Sequence, residues 1–290
     1  MDTTFNGTGK VLGTYGAAAA FTAVVALPDG KVLAAGWADN SSLGRGTDFL
    51  VARFNANGTP DTTFGGGTGR VYTDFGKHVD HANGLCLVGG GKFVVVGSTA
   101  SGESSDFAVA RYAANGTLDT TFSGDGKQTT DFPLVAGQHP DDWANAVAVL
   151  SDGKLLVVGN SWGGEPRMTD FAVAKYRTDG SLDTSFSGDG RQTMDIGSHA
   201  ATNPATLDGL VLGYQSAQAV AVLPDGRFLI GGYLDDTHPD PNNDRGTGDM
   251  VVARFTAGGA FDTSFGGGKG WTAINPGGTD DIVRSIAVLN

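Results

Sequence analysis

Residues 145–159 read NAVAVLSDGKLLVVG. Two runs rich in Val, Ala and Leu flank the tetrad S-D-G-K. A tight turn between such runs needs a residue that accepts positive φ, and Gly supplies it, so the stretch reads as a hairpin of two short strands. Nearly the same sentence stands at 22–36 (TAVVALPDGKVLAAG) and at 218–232 (QAVAVLPDGRFLIGG). Downstream comes an alternating stretch: DFLVARF at 48–54, DFAVARY at 106–112, DFAVAKY at 170–176 and DMVVARF at 249–255. Period-two alternation is the mark of a half-buried strand. A block D-T-T-F or D-T-S-F then begins at Asp2, Asp61, Asp119, Asp183 and Asp262. A Gly-rich turn leads from it into a fourth short strand: GRVYTDF at 69–75, GKQTTDF at 126–132 and GRQTMDI at 190–196.

Each unit therefore carries four strands, and no segment keeps a period of 3.6. Four-stranded units at this spacing predict an all-β chain, a β-propeller of four-stranded blades. One domain spanning 1–290 is expected, with four complete blades at about 21–75, 84–132, 144–196 and 217–275. A partial fifth blade is expected from 9–15 (GKVLGTY) and 283–290, which holds RSIAVLN. An incomplete blade exposes a strand edge. The expectation is a piece of a longer array, or a ring completed by self-association with another subunit.

Composition agrees. The chain has 47 Gly in 290 residues and only 17% charged residues, a profile of many strands and turns. Its formal net charge of −12 argues against nucleic acid or an anionic membrane as partner. No run approaches the 18 or so apolar residues of a membrane span, so no membrane insertion is expected. The single cysteine, Cys86, precludes an internal disulfide and lies in the apolar run GLCLV, where a buried, inert thiol is expected.

The unit written with D-T-T-F at 61–64, P-D-G-K at 28–31 and D-F-A-V-A-R-Y at 106–112 resembles the delta-60 repeat. That family is a propeller-type repeat of unknown function, arrayed in tandem in bacterial secreted or surface proteins. The resemblance covers nearly the whole chain. It implies architecture and an extracellular or cell-surface location, with the signal segment absent from this chain, and it implies no catalytic residues.

Lettering the strands of a unit A to D from the AVAVL run outward, the A–B and C–D connections share one end of a blade. The B–C and D–A connections share the other. The first set barely changes between units, whereas the second varies widely in length and content. The repeated corners are therefore scaffold, and a working site belongs on the variable face. In the corners the Asp is expected to bind nearby backbone N–H groups, with the Phe as anchor; calcium is the alternative. The paired charges of the DFxVAR strands, such as Asp106 with Arg111 and Asp170 with Lys175, are expected to form structural ion pairs.

All five histidines fall in variable connections: His78, His81, His139, His199 and His238. With nearby carboxylates they could hold a divalent metal (Ca, Zn or Mn), with His81, His139 and Asp142 the first candidates for metal binding or catalysis. Trp37, Trp143, Trp162 and Tyr233 gather on the same face, and aromatic rings around a mouth suit stacking on a sugar or gripping a peptide. The best reading is a non-enzymatic, acidic propeller that binds a glycan or protein ligand on this face. The alternatives are a metal- or His/Asp-dependent hydrolase or lyase with its site at the channel mouth, and a purely structural repeat.

Overall fold

A computed structural model describes residues 3–44, 46–76, 79–101, 104–132, 140–162, 169–196, 214–235, 248–274 and 281–288. Among them the chain forms sixteen strands in four sheets. The first sheet holds β1 (Ala19–Ala26), β2 (Val32–Asp39), β3 (Thr47–Phe54) and β4 (Arg70–Thr73). The second holds β5 (Asp80–Leu87), β6 (Phe93–Ser101), β7 (Ser104–Tyr112) and β8 (Lys127–Thr130). The third holds β9 (Asp142–Val149), β10 (Leu155–Trp162), β11 (Thr169–Tyr176) and β12 (Arg191–Met194). The fourth holds β13 (Gln215–Val222), β14 (Phe228–Asp235), β15 (Gly248–Phe255) and β16 (Trp271–Ile274). In every sheet the strands pair antiparallel in chain order, the meander of a propeller blade.

The quoted hairpin is β9–β10, closed at Gly153 with φ of 80°. Its register slips between Val158 and Gly159, and the other three A–B pairs carry the same irregularity. The glycine opposite each slip is forced. A Cβ on Gly36, Gly97, Gly159 or Gly232 would stand 1.9 Å from the carbonyl oxygen of Ala20, His81, Trp143 or Ser216. The final G of every AAG, VVG or IGG run is therefore required by backbone approach at a bulge.

The chain divides into two compact units. One comprises 1–130 with 178–181, and the other 131–177 with 182–290. The first packs Leu33, Phe49, Val51, Phe64, Phe93, Val95 and Tyr112 into a core. The second packs Leu156, Val158, Phe171, Val173, Phe186, Phe228, Ile230 and Phe255. The DFxVAR strands are buried on both faces through much of β3, β7 and β11, where alternation alone suggested one. Small Ala and Val side chains allow this, since each is a middle strand of a covered sheet.

The segments expected to begin and end a fifth blade, 9–15 and 283–290, carry no strand among their described residues. In each of the four sheets, strands A and D are joined through B and C and do not pair with each other. Instead Val11 and Tyr15 pack on Ala34, Ala52 and Phe54 of the first blade. Val283 donates its N–H to Gly232 O at 3.2 Å in the fourth.

The repeated corner is a clasp. Asp61 takes the N–H and hydroxyl of Thr63 on Oδ1, at 3.0 and 2.7 Å. Its Oδ2 meets Lys31 of the A–B turn at 2.9 Å and Arg53 of β3 at 2.7 Å. Asp119 with Lys92 and Arg111, Asp183 with Lys154 and Lys175, and Asp262 with Arg227 and Arg254 repeat the arrangement. Arg111 thus pairs with Asp119, and Lys175 with Asp183. Within DFxVAR the Asp and the cation are five residues apart, and an odd separation puts them on opposite faces of a strand. The guanidinium of Arg53 lies 4.7 Å from the Phe64 ring centre and also donates to Ala114 O in the second blade. A Cβ on Gly116 would stand 2.7 Å from that ring, so the N-G turn of one blade seats on the Phe corner of the blade before it.

Candidate functional site

The salt bridge from each A–B turn to the C–D corner of its own blade fixes one end of the blade as scaffold. The other end holds the starts of strands A and C and the finish of strand B. There, within the second unit, the third and fourth blades form a cavity of about 500 Å³. Its lining is Asp141, Trp143, Asn160, Trp162, Thr169, Tyr214, Ser216 and Tyr233.

Strand register places these side chains. Trp143 lies opposite Asn160 on β9 and β10, and Trp162 lies opposite Thr169 on β10 and β11. Ser216 lies opposite Tyr233 on β13 and β14. Thr169 and Tyr214 form a parallel bridge that ties the two blades together. The tie is hydrogen-bonded: the Thr169 hydroxyl donates to Gln215 O at 2.7 Å and accepts from Gln215 N–H at 2.9 Å. The Trp162 N–H donates to Asp141 O at 2.9 Å.

Under the rings lies a polar floor. Asn145 Nδ2 donates to Asn160 Oδ1 at 3.1 Å and to Ala217 O at 2.9 Å. The Ser216 hydroxyl donates to Asn160 Oδ1 at 2.9 Å and accepts from Gln218 Nε2 at 2.8 Å. This network crosses from β9 and β10 to β13, so the floor is held by both blades at once. Trp162 is 39% exposed and Tyr214 44%, so two rings face solvent above a fixed polar base.

Three of the four aromatic candidates, Trp143, Trp162 and Tyr233, thus share one cavity. Trp37 lies in the first unit, on β2, with its ring centre 5.1 Å from that of His81. His81 is half-buried on β5, and burial lowers its pKa. Asp142 is fully buried in the second unit and accepts the Phe132 N–H at 2.8 Å, facing away from the cavity that its neighbours Asp141 and Trp143 line. His139, together with His78, His199 and His238, lies outside the described residues. Burial pushes the Cys86 thiol up to about 12.

Asn160, Thr169, Tyr214 and Ser216 carry no distinguishing type in the sequence. Asn160 and Thr169 bound the variable connection NSWGGEPRMT, and that position was the available signal.

Comparison with known proteins agrees with this architecture. The family model described as "Domain of unknown function (DUF5122) beta-propeller" matches residues 27–64, 91–122, 150–186 and 223–265, just over half of the chain. The chain belongs to this family. Each match in this DUF5122 chain begins in or beside the A–B turn, runs through strands B and C and ends at or just past the D-T-T/S-F corner. The matches therefore include Asn160, Trp162, Thr169 and Tyr233 of the cavity but leave out Asp141, Trp143, Tyr214 and Ser216. No curated protein matches the chain. Among solved structures, an alpha-L-arabinanase of Cellvibrio cellulosa complexed with arabinohexaose is similar over 80% of this chain and 69% of its own. It has 12% identity and a TM-score of 0.37, too low a similarity to bear on the ligand of this chain.

Proposed function

We propose that this chain is a non-enzymatic propeller module, of the delta-60 kind, that binds a glycan on its variable face, on or outside a bacterial cell. The observation that carries the proposal is the convergence of Trp143, Trp162, Tyr214 and Tyr233 over the Asn160–Ser216 floor. A sugar ring offers an apolar face of C–H groups and an edge of hydroxyls. Ring faces with hydroxyl and amide groups beside them complement both. A cavity of about 500 Å³ lies within the range of small-ligand sites.

Binding is favoured over hydrolysis by the carboxylates. Glycoside hydrolysis ordinarily uses a pair flanking the bond. Among the described residues of the cavity the carboxylate is Asp141, while its neighbour Asp142 is buried and hydrogen-bonded to the backbone.

A glycan array probed with the wild-type chain and with Trp162→Ala tests the reading. Wild-type binding to a defined set of oligosaccharides, lost in the variant, is the expected result. An empty array, or equal binding by both proteins, would count against it.

A further inference from the structure

A second site lies in the first unit, where the first blade meets the second. Asp48 stands at the start of β3, Asp74 just past β4, and Asp80 opens β5. One carboxylate oxygen of each lies within 4.8 Å of the other two. We propose that these three aspartates form a Ca²⁺ site.

The geometry fits that ion. Calcium holds carboxylate oxygens at about 2.4 Å, so two oxygens on one ion are at most about 4.8 Å apart. The donors are all hard oxygens, which suit calcium rather than a transition metal. Each carboxylate is steered by a protein donor on one oxygen: Asp48 Oδ2 by Asn40 Nδ2, Asp74 Oδ1 by the Gly76 N–H and Asp80 Oδ2 by the Phe75 N–H, at 2.7, 2.7 and 2.8 Å.

Asp80 supplies the independent observation. Its side chain is fully buried, and its Oδ1 has no hydrogen-bond partner. A buried anionic oxygen in that state is costly unless something positive meets it. Burial disfavours its ionised form, the Thr99 hydroxyl and the Phe75 N–H favour it, and the charges of Asp74 and Asp48 disfavour it further. Lys127 Nζ donates to the Asp74 carbonyl at 3.0 Å and pairs with Asp125.

The chain contains its own control. At the matching position of the fourth blade stands Gln215. Its Oε1 accepts the Ile196 N–H at 2.7 Å, as Asp80 Oδ2 accepts the Phe75 N–H. Its Nε2 then donates to Asp195 Oδ1 at 2.8 Å. An amide closes the junction with its own hydrogen. An aspartate there presents an oxygen to other carboxylates, and a divalent ion bridges all three where a proton would neutralise one.

The test is calorimetric titration of CaCl₂ into the full chain after chelator treatment, for wild type and Asp80→Asn. Wild type is expected to bind one more Ca²⁺ than the variant, and calcium should raise the Tm of wild type more. In EDTA the variant should be at least as stable as wild type, because it removes a buried charge. If Asp80→Asn folds poorly, Asp80→Gln, copying Gln215, replaces it. Equal calcium binding by wild type and variant, or no binding by wild type at millimolar calcium, would overturn the proposal.

Discussion

Arg111 Nε lies 2.8 Å from Asp119 Oδ2, and both side chains are almost fully buried. The same guanidinium covers Phe122 at 4.8 Å, donates to the Thr121 hydroxyl at 2.9 Å and reaches Thr178 O. One residue therefore holds its own corner and the turn of residues 178–181. Asp119→Ala leaves Arg111 buried without its partner and is expected to destabilise the fold by about 3 kcal/mol. Exposed Asp125→Ala should change stability by less than about 0.5 kcal/mol. Urea denaturation of the two variants checks the contrast.

The corners also set acid stability. Burial opposes ionisation of Asp183, but the Lys154 ammonium and the Ser185 hydroxyl and N–H outweigh it and hold the carboxyl at about 2, against an ordinary 3.8. Asp61, Asp119 and Asp262 are lowered in the same direction by their Thr or Ser and by their cations. A carboxyl depressed in the folded state stabilises above its unfolded value and loses that contribution as pH falls through the folded one. The contribution of these four corners should be level from neutral pH down to about 5 and fall between about 4 and 2. Thermal melts across that range measure it, and Asp183→Asn should shallow the fall.

Gly159→Ala would drive a methyl group into Trp143 O, 1.9 Å from the ideal Cβ position. The backbone must move, at a cost of about 2–3 kcal/mol. Because the displaced carbonyl belongs to a cavity residue, ligand binding should weaken as well. Gly124→Ala, whose Cβ would meet nothing within 4 Å, separates contact from conformation: it should cost about 1 kcal/mol, from its φ of 85° alone.

Cys86 is half-buried, and burial pushes its thiol up to about 12, so it should alkylate more slowly at pH 8 in the folded chain than in urea. Mass spectrometry after timed iodoacetamide treatment reads the difference.

Much of this was legible because repetition separates scaffold from site. Hairpins at P-D-G-K and S-D-G-K, the recurrent D-T-T/S-F and the DFxVAR strands declare four blades before any coordinate is known. The alternation of connections between the two ends of a blade also sends Trp143, Trp162 and Tyr233 to the variable end. The pairing of Arg111 with Asp119 rather than Asp106 was less visible, since it depends on how the C–D connection folds back on its own strand. The junction of Asp48, Asp74 and Asp80 was hidden for a similar reason. Its members belong to two blades, and the docking of β5 against β3 brings them within 4.8 Å. Asn160 and Ser216 have no distinguishing type and become notable only when two blades share a hydrogen bond.

The central claim is that the cavity of Trp143 and Trp162 takes a glycan, and tryptophan fluorescence tests it most directly. The chain has four tryptophans, and Trp37→Phe with Trp271→Phe leaves Trp143 and Trp162 as the reporters. Titration of this double variant with an oligosaccharide selected on the array should give a saturable change in emission, abolished by adding Trp162→Ala. Binding that leaves the emission of Trp143 and Trp162 unchanged would place the ligand elsewhere and contradict the account.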